Sequence, residues 1–266
     1  MKIAWQTRSQ LLHDSIAQKE LINGANGGNI YDFQAAKALM SKHDLSAFNK
    51  SVWQKDNLLS YWLKLRSQPI ADVSIVEPYP AVFGAFSKHQ KYIAIVHHID
   101  FDRISRSKKH KWFFDRLLSR LKKVDKIVTV SNYWKVYLEE KGCKHVEVIY
   151  NSFQVENYKF DPKKIKIFKS ELGFDLIKPL VHIGNATAEK GVYKVYDALK
   201  ELDVQLVMTG TANKAKDLPV KYLNLPDREY RMLLASCDVV LAFSSMMEGW
   251  NRIAHEAMLC KVPFIG

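Results

Sequence analysis

The chain alternates short apolar, β-branched runs with longer segments whose apolar residues recur at helical spacing. This is the pattern of parallel strands covered by helices on both faces. In the first half it predicts strands at Lys2–Gln6, Val73–Val76, Tyr92–Val96, Lys126–Val130 and Val146–Ile149. Helices are predicted at Tyr31–Lys42, Asn57–Arg66, His110–Lys123 and Asn132–Lys141. Gly142 stops the last of these, because glycine tolerates the left-handed turn that ends many helices. The alternation restarts after Asn151, with strands expected at Leu180–Ile183, Gln205–Thr209, Lys221–Leu223, Val239–Phe243 and Val262–Ile265. Helices at Gly191–Glu201, Asp227–Ala235 and Arg252–Cys260 fill the gaps, and Pro162 with the lysine-rich Lys163–Lys169 reads as a connector leading into a helix. The expectation is an α/β protein of two Rossmann-like, doubly wound domains, residues 1–151 and 152–266, facing a cleft. Such sheets bind ligands beyond the carboxyl ends of their strands.

Composition narrows the function classes. A chain of 266 residues with 47% hydrophobic and 12% aromatic residues can bury a sizeable core, which excludes a disordered or low-complexity protein. Lys and Arg number 40 against 28 Asp and Glu, a formal charge of +12, which favours a polyanionic partner: a phosphorylated small molecule, a nucleic acid or an anionic membrane surface. The three cysteines, Cys143, Cys237 and Cys260, form no C-x-x-C pair, so buried thiols in a reducing compartment are expected. The amino-terminal segment places Gln, Arg, His and Asp where a signal peptide needs its apolar core. No apolar run approaches the roughly 20 residues of a membrane span. The expected location is cytoplasmic, with any membrane contact peripheral.

Three stretches carry candidate chemistry. In His182-Ile183-Gly184-Asn185-Ala186-Thr187-Ala188-Glu189-Lys190-Gly191, a strand ends in Gly and a loop Lys precedes a helix. A helix N-terminus offers unpaired N–H groups and the positive end of the helix dipole, so a lysine there suits a diphosphate. In Glu248-Gly249-Trp250-Asn251-Arg252-Ile253-Ala254-His255-Glu256, two glutamates flank seven residues. With the helix starting near Asn251, Glu248 lies in the preceding loop and Glu256 one to two turns inside, followed by the apolar Ala257-Met258-Leu259; a carboxylate so placed has a hydrogen-bonding task. The third stretch, Arg103 to Lys126, holds ten Lys or Arg and, at helical spacing, Trp112, Phe113, Phe114, Leu117, Leu118 and Leu121. It reads as a basic amphipathic helix that covers the first sheet and can turn cations toward an anionic membrane.

The segments IGNATAEKG, LVMTG and CDVVLAFSSMMEGWNRIAHEAMLCKVPFIG, in that order, resemble the retaining glycosyltransferases of family 4, which have the GT-B architecture. Weaker echoes are Gly27-Gly28, IAIVHHID, VTVSNYWKVYL and VIYNSFQVENY, so the resemblance spans most of the chain and is strongest from Val181 onward. It implies transfer of a sugar from a nucleotide-diphosphate sugar to a glycan or lipid-linked acceptor with retention of configuration. It also implies site roles: Lys190 on the donor diphosphate, Glu256 on the ribose hydroxyls and Glu248 on the transferred sugar. Amides of Gly249, Trp250, Asn251 and Arg252 would add donors, Asn185 would lie beside them, and Gly27 and Gly28 would let backbone approach the diphosphate. His97 or His98 would project toward the reacting sugar; the sequence leaves open which.

The chain departs from the family pattern where Asn185-Ala186 stands in place of a common Arg, so that Arg252 is a candidate substitute. Cys260-Lys261 replaces a small residue followed by Gly, and the second domain is short at its end. No Asp-x-Asp or zinc-ligand spacing is present, so no metal cofactor is expected. The alternatives are a non-catalytic nucleotide-sugar-binding protein and a basic nucleic-acid-binding protein. The second of these lacks any helix-turn-helix, zinc-finger or RNA-recognition signature.

Overall fold

In a computed structural model of the chain, the described residues are 1–20, 27–48, 62–63, 65–66, 70–210, 214–215 and 217–266. They form two compact units, Met1–Ser152 and Phe153–Gly266. The helix expected at Asn57–Arg66 lies for the most part outside the described residues.

The first unit is a six-stranded parallel sheet in the order β2-β1-β3-β4-β5-β6. Its strands are β1 (Lys2–Gln6), β2 (Asp44–Phe48), β3 (Val73–Val76), β4 (Lys91–Val96), β5 (Lys126–Thr129) and β6 (Val146–Val148). The helices are α1 (Gln10–Gln18), α2 (Gly27–Met40), α3 (Pro78–Phe83), α4 (Phe101–Arg106), α5 (Lys108–Leu121) and α6 (Asn132–Glu140). Central strands bury almost every residue: in β4, Tyr92, Ala94, Ile95 and Val96 are all buried, as expected of a sheet covered on both sides. One core cluster joins Val96, Leu117, Leu121, Ile127, Trp134 and Leu138, each large side chain contributing roughly 1.5–3 kcal/mol by leaving water.

Four of these elements were absent from the sequence reading. Edge strand β2, DLSAF, is only half buried and lacks the apolar run that marks the inner strands. Helices α1, α3 and α4 are nine, six and six residues long, too short for a convincing 3.6-residue period. The single basic helix is also corrected to two. Ser107 sits in extended backbone, and its hydroxyl accepts from the His110 amide as the N-cap of α5. Gly27 and Gly28 form the first turn of α2 instead of preceding it.

The second unit is a five-stranded parallel sheet in the order β11-β10-β7-β8-β9. Its strands are β7 (Leu180–Asn185), β8 (Gln205–Thr209), β9 (Lys221–Leu223), β10 (Val239–Leu241) and β11 (Phe264–Ile265). The helices are α7 (Pro162–Glu171), α8 (Val192–Leu199), α9 (Asp227–Ser236) and α10 (Arg252–Leu259). Lys163–Lys169, read as a connector, is the body of α7. Pro162 sits in its first turn and the Asp161 carboxylate caps it, accepting from the Lys163 amide at 2.8 Å. Strand β11 is two residues shorter than expected because the turn that closes α10 takes the Val262 amide and Pro263 has no N–H to donate to the ladder. Lys261 adopts φ 62°, the left-handed conformation a Gly would take, and the Val262 amide donates back to the Ala257 carbonyl at 2.9 Å, a Schellman closure.

Both orders place the ligand-binding point of a doubly wound sheet where neighbouring strands send their connections to opposite faces. In the first unit this is between β1 and β3; in the second it is between β7 and β10.

Candidate functional site

In the second unit, the loops after β7 and β10 carry the predicted charges and are locked to each other. The Ser245 amide donates to the Glu189 carbonyl at 2.9 Å, and the Ser245 hydroxyl to the same oxygen at 3.2 Å. Gly191 has φ 75°, and a side chain there would put its Cβ 2.1 Å from the Phe243 carbonyl oxygen. Only glycine allows that approach. The consequence is that Lys190 Nζ and Glu248 Oε1 meet at 2.7 Å, with side chains 30% and 22% exposed. Lys190 immediately precedes Gly191, the residue before α8, and the amides of Val192 to Lys194 have no acceptor within that helix. A cation, a carboxylate and a helix N-terminus thus converge on one partly open spot.

Residues that sequence reasoning passed over shape the floor of this loop. His182, fully buried on β7, accepts from the Gly184 amide at Nδ1 (3.2 Å), so its proton is on Nε2, 2.8 Å from Thr209 Oγ1. The Thr209 hydroxyl then donates to Asn185 Oδ1 at 3.4 Å. Burial drives the His182 pKa down to about 4, keeping the ring neutral and the chain of bonds intact. Gly184 and Gly210, at φ 110° and 130°, let the two strand ends close over it. The signal in the sequence was His182 inside an otherwise apolar strand, paired with Thr209 at the end of the next.

Glu256 lies within α10 and is buried, as its apolar flanks suggested. Arg252, one turn earlier, is 3.3 Å from Oε1, and the hydroxyls of Tyr158 and Tyr230 each lie 3.5 Å from a carboxylate oxygen. Burial raises the carboxyl pKa and the Arg252 charge opposes it. Arg252 was the candidate to replace the missing family arginine at the diphosphate. Instead its guanidinium pairs with Glu256 and lies 4.6 Å over the Phe153 ring, and its amide donates to the Trp250 carbonyl. Asn251 caps α10, accepting from the Ala254 amide at 3.4 Å, and Trp250 stacks on His255 with centroids 4.6 Å apart. Gly249 lies between Glu248 and that stack.

The remaining predicted residues belong to the first unit. His97, just past β4, is 2.9 Å from the buried Asp32 carboxylate of α2, and the ring of Tyr31 meets it edge-on at 5.0 Å. The adjacent His98 is exposed. Of the basic stretch, Arg116 and Arg120 bond to the end of α3: Arg116 donates to the Val82 carbonyl, Arg120 to those of Ala81 and Gly84. They cap the carboxyl end of α3, which has no basic residue of its own. Lys108, Lys109, Lys111, Lys122 and Lys123 are exposed, and Trp112 among them is 52% exposed. Among the described residues no cluster of three or more His, Cys, Asp or Glu is arranged to hold a metal ion, and no helix is long and apolar enough to cross a membrane.

Comparison with known proteins agrees with this geometry. A crystal structure of Anabaena Alr3699/HepE in complex with UDP and glucose aligns over 99% of this chain and 80% of that one, with TM-score 0.66 and 20% identity. Sucrose-phosphate synthase from Thermosynechococcus elongatus aligns over the same shares, with TM-score 0.76 and 15% identity. An uncharacterised glycosyltransferase of Methanocaldococcus jannaschii, MJ1178, is 27% identical over 196 residues, 68% of this chain. The chain spans about half the length of that relative, 51% of it. The family model described as Glycosyltransferase Family 4 matches residues 43–157, in the half where the motif echoes were weakest and not from Val181 onward. Residues 43–157 thus match the glycosyltransferase family 4 model, and the two parallel α/β sheets have the GT-B-like fold of the aligned structures.

Proposed function

We propose that the chain transfers a sugar from a nucleoside-diphosphate sugar to a glycan or lipid-linked acceptor with retention of configuration, and that it does so without a metal. The observation that carries this reading is the Lys190–Glu248 pair at 2.7 Å, held on the two loops that flank the switch point of the second sheet. Departure of a nucleoside diphosphate places charge on a phosphate oxygen, and a fixed cation beside a helix N-terminus stabilises that charge as it develops. Lys190 supplies the cation. When the diphosphate takes Lys190 as its partner, the Glu248 carboxylate is released to accept from hydroxyls of the transferred sugar. Glu256, fixed by Arg252 and two tyrosine hydroxyls, is the acceptor for the ribose hydroxyls. His97, oriented by Asp32, addresses the reacting sugar.

UDP is the first nucleotide to test, since the HepE structure contains it. The experiment is thermal stabilisation by UDP, GDP and ADP and by their sugars, followed by hydrolysis of whichever donor binds. A ligand at a hundred times its Kd stabilises by about 2.7 kcal/mol, which a melting curve resolves. Stabilisation by none of the nucleotides overturns the reading; stabilisation with no turnover of any donor reduces it to a nucleotide-sugar-binding protein. Activity that survives chelator dialysis supports metal independence, and activity lost and restored by a divalent cation removes it.

The exposed lysines of α5 and the half-exposed Trp112 support a second contact, with the anionic cytoplasmic face of a membrane. Its chemistry is that of a basic face carrying an interfacial aromatic.

A further inference from the structure

The switch point of the first unit gathers titratable groups beyond His97 and His98, the pair that the sequence singles out. Gln6 is in register with Val76, and Val76 with Ala94. The next residues, Thr7, Glu77 and Ile95, are therefore neighbours, and His97 follows Ile95 by one side-chain repeat. Glu77 is anchored there: its amide donates to the Gln6 carbonyl at 3.3 Å, and its Oε2 accepts from the Arg8 amide at 3.4 Å. The Thr7 hydroxyl, on a fully buried residue, bonds to the same carboxyl group. Oε1 is closed off from solvent and has no hydrogen-bond partner among the described residues. On the other side of the imidazole, Asp32 Oδ1 is 2.9 Å from Nε2, and the Asp32 side chain is only 7% exposed.

Two carboxyl groups and one imidazole thus share a desolvated site. Ionising all three leaves an excess negative charge where water cannot screen it. Burial, and then the Asp32 charge, push the Glu77 carboxyl up to about 7. Burial alone would lower the His97 pKa, but the Asp32 charge and hydrogen bond and then the Glu77 charge together hold it above the ordinary histidine value. The other titratable groups beside the site are Tyr31 from α2 and Arg8 after β1, whose guanidinium lies 3.7 Å over the Tyr79 ring at α3; His98, the residue after His97, is exposed.

We infer that Glu77 is a positioning residue for His97, which meets no substrate itself and holds one proton in common with the His97 imidazole, so that the charge and orientation of the ring depend on it. An orphan carboxyl oxygen is a costly feature in an inert core, and a proton on Glu77 removes its charge from that site. The pair titrates in two joint steps that belong to neither residue alone. The inference rests on the proposed glycosyltransferase reading only for the use of the imidazolium; the proton sharing stands or falls without any sugar nucleotide.

The test is an NMR titration of the full chain carrying 13C at histidine Cε1 and glutamate Cδ, in the wild type and in Glu77→Gln and Asp32→Asn. Removal of the Glu77 charge is expected to lower the His97 midpoint by about 1 unit, and Asp32→Asn, which also loses a hydrogen bond, by more. In the wild type the Glu77 carboxyl resonance should inflect at the His97 midpoint, a measurement that needs no variant to fold. An unchanged His97 midpoint in Glu77→Gln, or a Glu77 resonance that titrates wholly in the ordinary carboxylate range, overturns the inference. Neither result depends on donor binding, so its failure is distinct from failure of the proposed function.

Discussion

Each unit keeps a histidine near the switch point of its parallel sheet, His182 buried and His97 partly so, and the two are pushed in opposite directions. His97 sits between carboxyl groups, and its pKa is raised. His182 sits between a backbone amide and a threonine hydroxyl with no counter-charge bonded to it, and burial alone takes it to about 4. The surroundings, and not the fold layer, decide. The first unit stores a proton at its site. The second fixes a neutral ring as a joint and places its charges, Lys190 and Glu248, outside on the loops. One site is therefore built to respond to pH, the other to present fixed charge to an anion.

The largest test of that contrast is Lys190→Ala. If the second unit acts through fixed charge, kcat for donor turnover should fall roughly 10²–10³-fold, the usual loss when one group stabilising developing charge is removed, and nucleotide stabilisation should fall with it. His97→Ala should leave nucleotide stabilisation intact while lowering turnover. Equal loss of nucleotide binding in both variants would erase the division of labour.

The opposite pKa shifts make opposite stability predictions. A depressed histidine contributes stability that is present above its ordinary value near 6.5 and is lost as pH falls from there toward about 4. For His182 the loss is on the order of 3 kcal/mol. For His97 the sign reverses: its contribution is present below the ordinary value and is lost as pH rises through the elevated folded one. Hydrogen exchange, corrected for the chemical rate, should show protection in residues 180–185 falling on acidification and protection in residues 91–97 falling on alkalinisation. His182→Gln should flatten the acid limb of the second unit only. Parallel pH responses in both units would break the comparison.

How much of this was legible in the sequence depended on whether a residue's partner lay nearby along the chain. The long buried strands and helices were visible because their periodicity is local. The Glu-pair segment was visible because its helix start, Asn251, and both carboxylates lie within nine residues. Edge strand β2 and the short helices carry too little periodic signal. The role of Arg116 and Arg120 at the end of α3 depends on carbonyls more than thirty residues away, and a run of cations does not reveal which members are spent on a helix end. The Arg252 pair could have been read from spacing: at i and i+4 on one helix face, Glu256 is its natural partner. Glu77 had no motif at all and is defined only by the strands on either side.

A smaller effect sharpens the account of the second unit. If Glu248 competes with phosphate for Lys190, then Glu248→Gln removes the competing carboxylate charge near the anion site. UDP, or whichever nucleotide binds, should bind about fivefold more tightly, on the order of 1 kcal/mol for one partly screened charge, while turnover of its sugar falls. Calorimetric titration of the free nucleotide separates the two. Weaker nucleotide binding in Glu248→Gln would show that the ion pair serves to position Lys190 and does not restrain it.

The smallest predicted effect belongs to the first unit and asks whether its surface charge, like its buried charge, has a function. On α5 the apolar residues Leu117 and Leu121 are buried in the core, so only the outer cations and Trp112 remain to meet lipid. Each lysine near an anionic surface contributes about 1 kcal/mol at most, and this falls within a Debye length as salt rises. Lys111→Gln should reduce flotation with vesicles containing anionic lipid by no more than about fivefold, and the difference should vanish at high salt. Arg120→Gln provides the contrast. Its guanidinium is committed to the Ala81 and Gly84 carbonyls, so it should cost folding stability while leaving the salt dependence of flotation unchanged. Equal flotation with neutral vesicles would remove the electrostatic contact and leave the lysines as a solvated face.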